Sequence, residues 1–225
     1  MHNLKLEKSL FKQGYKHIAG VDEVGRGPLA GPVVSACVLV DINFLKNINN
    51  FKELNDSKKT SLKTREQIFS IIQDNAISVG IGVCSAKTID KINILQASLL
   101  SSRKAVLNLN QKADIVLMDG KFKIPKLDTI QETIIQGDAK VAVIALASII
   151  AKVYRDKVMT SLALKYPGYD LEKNKGYGTA YHRKRITEIG PCKIHRYSFA
   201  PLKDINYNIS KNSNTNDYNT NDINP

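Results

Sequence analysis

The chain has 225 residues, enough for one sizeable core and at most one small added module. An apolar fraction of 43% excludes wholesale disorder, and no apolar run reaches the roughly 18 residues that span a bilayer. The net charge of +12 favours a polyanionic partner, either nucleic acid or an anionic membrane surface, while Cys37, Cys84 and Cys192 are too scattered for a disulfide frame or a zinc motif.

Residues 1–17 form a polar, lysine-rich N-terminal extension without the apolar core of a signal peptide, so a cytoplasmic protein is expected. Ile18–Val24 (IAGVDEV) and residues 32–40 (PVVSACVLV) read as two strands, joined by the glycine- and proline-rich turn GRGPLAG at 25–31. The run NDSK at 55–58 precedes a predicted helix over residues 60–73, and residues 76–84 (AISVGIGVC) give a third strand. Ile92, Leu95, Leu99, Val106 and Leu109 keep helical spacing with a polar interruption at Ser102. Ile115–Asp119 (IVLMD) reads as a buried strand ending in a carboxylate, and residues 132–136 (ETIIQ) as another, followed by Gly137 and Asp138.

Residues 141–152 are apolar almost all round, which predicts a helix through the centre of the domain, continuing to about residue 165. Thr179 is a candidate N-cap for a last helix that stops at Gly190-Pro191. This order predicts an α/β domain over residues 18–204, a mixed five-stranded sheet flanked by helices with a helical C-terminal part. Residues 205–225 are asparagine-rich and too poor in aliphatics to offset their ordering entropy, so a disordered tail is expected.

Asp22 and Glu23 sit inside an otherwise apolar strand, where an unpartnered carboxylate loses several kcal/mol of solvation. Alternation can point one of such a pair to solvent. Asp119 and Asp138 also end apolar runs beside a glycine, and strand ends of open sheets are where sites form. No lysine or arginine in those strands neutralises them. Hard oxygen donors without a His or Cys cluster point to Mg²⁺ or Mn²⁺, and a carboxylate cage for two such ions suits phosphodiester hydrolysis.

These residues resemble the motifs of the ribonuclease HII family. The run AGVDEVGRGPLAGP at 19–32 carries most of the likeness. It is joined by LNDSK at 54–58, Asp119-Gly120, Gly137-Asp138, ASIIAKVYRD at 147–156, KGYGT at 175–179 and HRYSFAP at 195–201. The resemblance implies a ribonuclease H-like fold and a four-acid catalytic site. Asp22, Glu23 and Asp119 would hold Mn²⁺ or Mg²⁺, with Asp138 as the fourth acid. It implies an endonuclease producing 5′-phosphomonoesters from RNA–DNA hybrid duplexes and cutting 5′ to single ribonucleotides in DNA, as a monomer serving DNA replication and repair.

By the same resemblance, Gly25, Arg26 and Gly27 read the ribose 2′-hydroxyl, Tyr177 stacks on the sugar, and Ser57 and Lys58 contact phosphate. Glycines suit a backbone that approaches a sugar closely, and the 2′-hydroxyl alone distinguishes RNA from DNA there. Taken alone, the loop is equally an ordinary turn with a solvated arginine, Tyr177 a packing residue and Lys58 a solvated lysine. Gly178 stands where relatives commonly carry proline, which predicts a looser loop. Asp156, four residues after Lys152, reads as an intrahelical partner or as a support behind the ligands, and not as a metal ligand.

Residues 173–203 hold eight Lys/Arg and one acid, Glu188, interleaved with Tyr177, Tyr181, Tyr197 and Phe199 and with His182 and His195. A run this lopsided predicts a surface tracking a phosphate backbone without reading bases. A basic binding module without catalysis is the alternative class, and the strand-end acids argue against it. Ribonuclease HIII, with its added N-terminal domain, is disfavoured by the short stretch before the first strand.

Overall fold

Strand β1 (Ile18–Val24) occupies the middle of a five-stranded sheet in the computed structural model, which describes residues 4–47 and 62–204. The strands are ordered β3 (Ser78–Cys84), β2 (Val33–Val40), β1, β4 (Ile115–Asp119) and β5 (Ile130–Ile134). The first three pair antiparallel, while β4 and β5 join parallel to β1 and to each other, so the predicted mixed sheet is present. The central strands are buried on both faces and read as continuous apolar runs.

The long helix α6 (Ala142–Lys165) lies across one face, with Val143, Leu146 and Ile150 packed on Ile18, Val38 and Leu117. Its approach depends on Gly20 in β1, where a Cβ would fall on the main-chain carbonyl of Val143. Helix α4 (Ala86–Leu107) covers the opposite face over Ala19, Val21, Cys37 and Leu39. Ser102 is no interruption in α4. It is buried with Ser101, and both hydroxyls lie against that of Ser35 in β2, at 3.1 and 2.6 Å. The break falls instead at Asn93, at φ 65°, where the side chain accepts from the Gln96 amide and restarts the helix.

The N-terminal extension contributes α1 (Lys5–Lys12), whose Leu10 joins the core under α6. Its Glu7 is fully buried, and Oε1 accepts from the amides of Ala142 at 2.8 Å and Val143 at 3.4 Å. The N-cap residue of α6, Val141, has no capping side chain, so α1 supplies the cap. Glu7→Ala is expected to lower stability by about 1–2 kcal/mol in urea denaturation, the usual scale for a lost cap. An unchanged midpoint would show that this contact contributes nothing.

Helices α2 (Ile42–Asn47) and α3 (Leu62–Asn75) follow β2, and the predicted helix start at residue 60 lies outside the described residues. Strand β5 ends two residues earlier than expected, because Gln136 takes φ 58° and turns the chain into the single turn α5 (Gly137–Lys140). Past α6 come α7 (Leu171–Asn174) and α8 (Ala180–Ile189), the latter capped by Thr179 as predicted, its hydroxyl accepting from the His182 amide. This C-terminal part has its own core of Tyr169, Leu171, Ile186 and Ile194, anchored on Leu29 and Met159. The expected tail, 205–225, lies outside the described residues.

Candidate active site

Ile18 of β1 packs with the α6 core and Ala19 and Val21 with the α4 core, so alternation puts Asp22 on the α6 side and Glu23 on the other. Strand β4 repeats the pattern. Ile115 and Leu117 face α6, Val116 and Met118 face α4, and Asp119 therefore shares the face of Asp22. Val21 is level with Met118 in the parallel pair, so the two aspartates terminate adjacent strands together. Asp119 is level with Ile134, and after the Gln136 turn the amide of Gly137 donates to Asp119 Oδ1 at 2.7 Å. Asp138 follows in the first turn of α5, one residue beyond that bond.

Asp22 is 7% exposed. Burial foremost, then the charges of Glu23 and Asp119, push its carboxyl up to about 7, against hydrogen bonds from Ser148 of α6 and from the Glu23 amide. Glu23 is turned to the loop, where Arg26 Nη1 donates to its Oε1 at 3.0 Å. The neutralising cation thus comes from just beyond the strand. With Glu23 so engaged, no group of three His, Cys, Asp or Glu side chains among the described residues is arranged to hold a metal ion as it stands. The donor set still fits a hard divalent cation. Two aspartates repel each other at adjacent strand ends, one of them desolvated, and a cation there relieves both costs.

The loop after β1 divides into two kinds of glycine. Gly25 sits at φ 92°, and a Cβ on it would collide with Nε of Arg155. The bare Cα of this glycine leaves room for a buried arginine. Gly27 is exposed, and the nearest atom to an added Cβ is Tyr177 Cε1 at 3.9 Å. The tip of the loop and the ring of Tyr177, which is 46% exposed, therefore flank one opening.

The Tyr177 loop is tightly tied, contrary to the looseness expected from Gly178. The Tyr177 amide donates to Asn174 O at 2.9 Å, the Thr179 amide to Tyr177 O at 2.8 Å, and Arg183 Nε to Gly178 O at 3.0 Å. A Cβ on Gly178 would lie 2.8 Å from Leu29 Cδ1, so close packing holds what a proline ring would have held. A buried imidazole pair adds to this. The Cys192 amide donates to His195 Nδ1 at 2.9 Å, which leaves His195 Nε2 to donate to His182 Nε2 at 3.1 Å. His182 Nδ1 then donates to Tyr177 O at 2.9 Å. That order requires both rings neutral, and burial, with the neighbouring His182, lowers His195 to about 4.

A family model described as Ribonuclease HII matches residues 19–202. The chain belongs to the ribonuclease HII family. It is 46% identical over 201 residues to the ribonuclease HII of Syntrophotalea carbinolica, covering 89% of this chain and 93% of that one. Among solved structures it is similar to the ribonuclease H2 of Pyrococcus horikoshii, with a TM-score of 0.70, 25% identity, and coverage of 84% and 96% of the two chains. It also shares its fold with Bst-RNase HIII in complex with Mn²⁺, with a TM-score of 0.62, 19% identity, and coverage of 86% and 70%. As a ribonuclease HII, the protein is an endoribonuclease of the ribonuclease H type acting on nucleic acid.

In this ribonuclease HII, Asp22 and Asp119 are brought together, Asp138 is the residue after the Gly137 whose amide bonds Asp119, and Glu23 points to Arg26. Ser57 and Lys58 lie outside the described residues. Asp156 pairs with Lys152 at 2.7 Å within α6, as expected. The basic segment is not all surface: His182, His195 and Arg196 are buried, while Lys173, Arg183, Lys184, Lys193 and Lys203 are exposed. Sequence reasoning missed Ser148, the lone hydroxyl in the apolar first half of α6, and it gave no role to Arg155. No helix among the described residues is long and apolar enough to cross a membrane.

Proposed function

We propose that this ribonuclease HII hydrolyses the RNA strand of RNA–DNA hybrids and cuts 5′ to single ribonucleotides embedded in duplex DNA, leaving 3′-hydroxyl and 5′-phosphate ends. The observation that carries the catalytic part is the pair Asp22–Asp119, mutually repelling at adjacent strand ends with Asp22 raised to about 7. Asp22, Glu23 and Asp119 would hold two divalent ions, Mg²⁺ or Mn²⁺, and Asp138 would be the fourth acid. Ions held there would lower the pKa of an attacking water and stabilise the leaving oxygen. Glu23 would exchange its bond to Arg26 for that role, which frees the guanidinium toward the nucleic acid. The structure of Bst-RNase HIII in complex with Mn²⁺ supports a divalent ion for this fold.

Gly25, Arg26 and Gly27 would present main-chain groups to the ribose 2′-hydroxyl, with the sugar against Tyr177. The shared opening between Gly27 and the Tyr177 ring supports this reading. Ser57 and Lys58 would contact phosphate, and the exposed lysines and arginines of 173–203 would follow the backbone of the duplex. A cytoplasmic monomer acting in replication and repair completes the proposal.

The test is a DNA duplex carrying one ribonucleotide, incubated with Mg²⁺ or Mn²⁺ and mapped at nucleotide resolution. The expected result is one cut immediately 5′ to the ribonucleotide, an intact all-DNA control, and no cutting in EDTA. A cut on the 3′ side, or cutting that survives chelation, would overturn the assignment.

A further inference from the structure

Arg155 and Arg196 are both fully buried, beneath the loop that follows β1. The hydrogen bonds their guanidinium groups donate end on main-chain carbonyl oxygens. Arg155 reaches Pro32 at 3.0 Å, Lys175 at 3.0 Å and Ala30 at 3.3 Å. Arg196 reaches Arg26 at 2.9 Å, Gly25 at 2.5 Å and Gly31 at 2.9 and 3.1 Å, with its guanidinium 5.1 Å from the centre of the Phe199 ring. Two cations buried near each other are costly. Burial foremost lowers both, and the charge of Arg155 lowers Arg196 further. Fold stability alone would be served as well by apolar side chains.

The direction of the peptide planes gives the pair a use. In a trans peptide the carbonyl of one residue and the amide of the next point opposite ways. Arg196 draws the carbonyls of Gly25 and Arg26 inward, so the amides of Arg26 and Gly27 face outward, side by side. Both residues are exposed, and no turn or ladder bond among the described residues uses either amide. Successive outward amides bind an oxygen of a ligand.

We infer that Arg196 is a positioning residue for ribonucleotide recognition: its fork fixes the Gly25 and Arg26 carbonyls inward and thereby aims the Arg26 and Gly27 amides at the ribose. This rests on the reading role proposed for the Gly25-Arg26-Gly27 loop. A lysine keeps the charge but cannot hold three carbonyls in one plane.

The experiment measures Arg196→Lys and wild type without divalent ions, on a short DNA duplex with one ribonucleotide and on its all-DNA counterpart. The ribo-over-deoxy affinity ratio is expected to fall about tenfold in Arg196→Lys, while all-DNA affinity changes less than about threefold, on the scale of lost charged hydrogen bonds. A folded Arg196→Lys that discriminates as well as a discriminating wild type overturns the role of Arg196 alone. A wild type that binds both duplexes alike overturns the loop reading and this role with it. Should Arg196→Lys fail to fold, wild-type amide resonances decide: those of Arg26 and Gly27 shift with the ribonucleotide duplex and not with the all-DNA one, and the absence of that difference overturns the inference.

Discussion

Asp22→Asn is expected to lose cleavage by about a thousandfold or more, and at the same time to make the metal-free protein more stable above neutral pH. The first effect follows from removing a charged donor at the proposed ion site, where about 4 kcal/mol of charge stabilisation corresponds to that factor. The second follows from the raised carboxyl. The unfolded chain releases this proton near the ordinary aspartate value of 3.8, the folded chain near 7. Between those values the folded state binds more protons, so stability falls as pH rises through the window and is lowest once Asp22 is ionised.

A shift of that size, from 3.8 to about 7, corresponds to on the order of 4 kcal/mol at pH 8, which an asparagine would not lose. Melting in EDTA at pH 5 and pH 8 checks this. The variant should gain on wild type at pH 8, and the gap should narrow at pH 5. Mn²⁺ should raise the wild-type melting temperature and leave Asp22→Asn nearly unmoved. A variant that shows the same loss between the two pH values as wild type would remove Asp22 as the seat of the effect.

Gly25→Ala should cost about 3 kcal/mol of stability and roughly 8 °C in melting temperature, with a larger loss in cleavage of a ribonucleotide-containing duplex than in general duplex affinity. Two terms add. A side chain at φ 92° is strained by roughly 1–2 kcal/mol. The new Cβ also displaces Arg155, which loosens its bonds to the carbonyls of Pro32, Lys175 and Ala30, each worth about 1 kcal/mol or more. Gly14→Ala separates the terms, because Gly14 has φ 97° with nothing within 4 Å of an added Cβ. Equal losses in the two variants would mean that the collision with Arg155 is not felt.

The strands that carry the acids were legible because their apolar runs are long and end on carboxylates, and β1, β4 and α6 follow the expected bounds closely. Strand β5 was read too far along because it is an edge. Ile130 is 57% exposed there, so burial does not mark the strand, and the residue that turns the chain at positive φ is Gln136 rather than the glycine after it. The single-turn helices α5 and α7 are too short to show a period.

The acids were found, but the direction of Glu23 was not, because it depends on an arginine three residues on that could equally have been solvated. Arg155 and Arg196 were the hardest to read. In a chain with 33 lysines and arginines the default place for each is the surface. What draws these two inside is a set of carbonyls contributed by residues up to 171 positions away, which no local pattern records.

The loop after β1 is finished by residues far along the chain. The Arg196 amide donates to Leu29 O, the Gly31 amide to Ile194 O, and the Arg196 fork spans 165 positions back to Gly31. The acidic strands β1 and β4 pair with each other through no residue of this late segment, so the sheet can be complete while the loop is still open. Under the proposed function the acids and the loop that would aim them are therefore set by different parts of the chain, so damage confined to the segment around Arg196 would leave the acids in place while unmaking the loop.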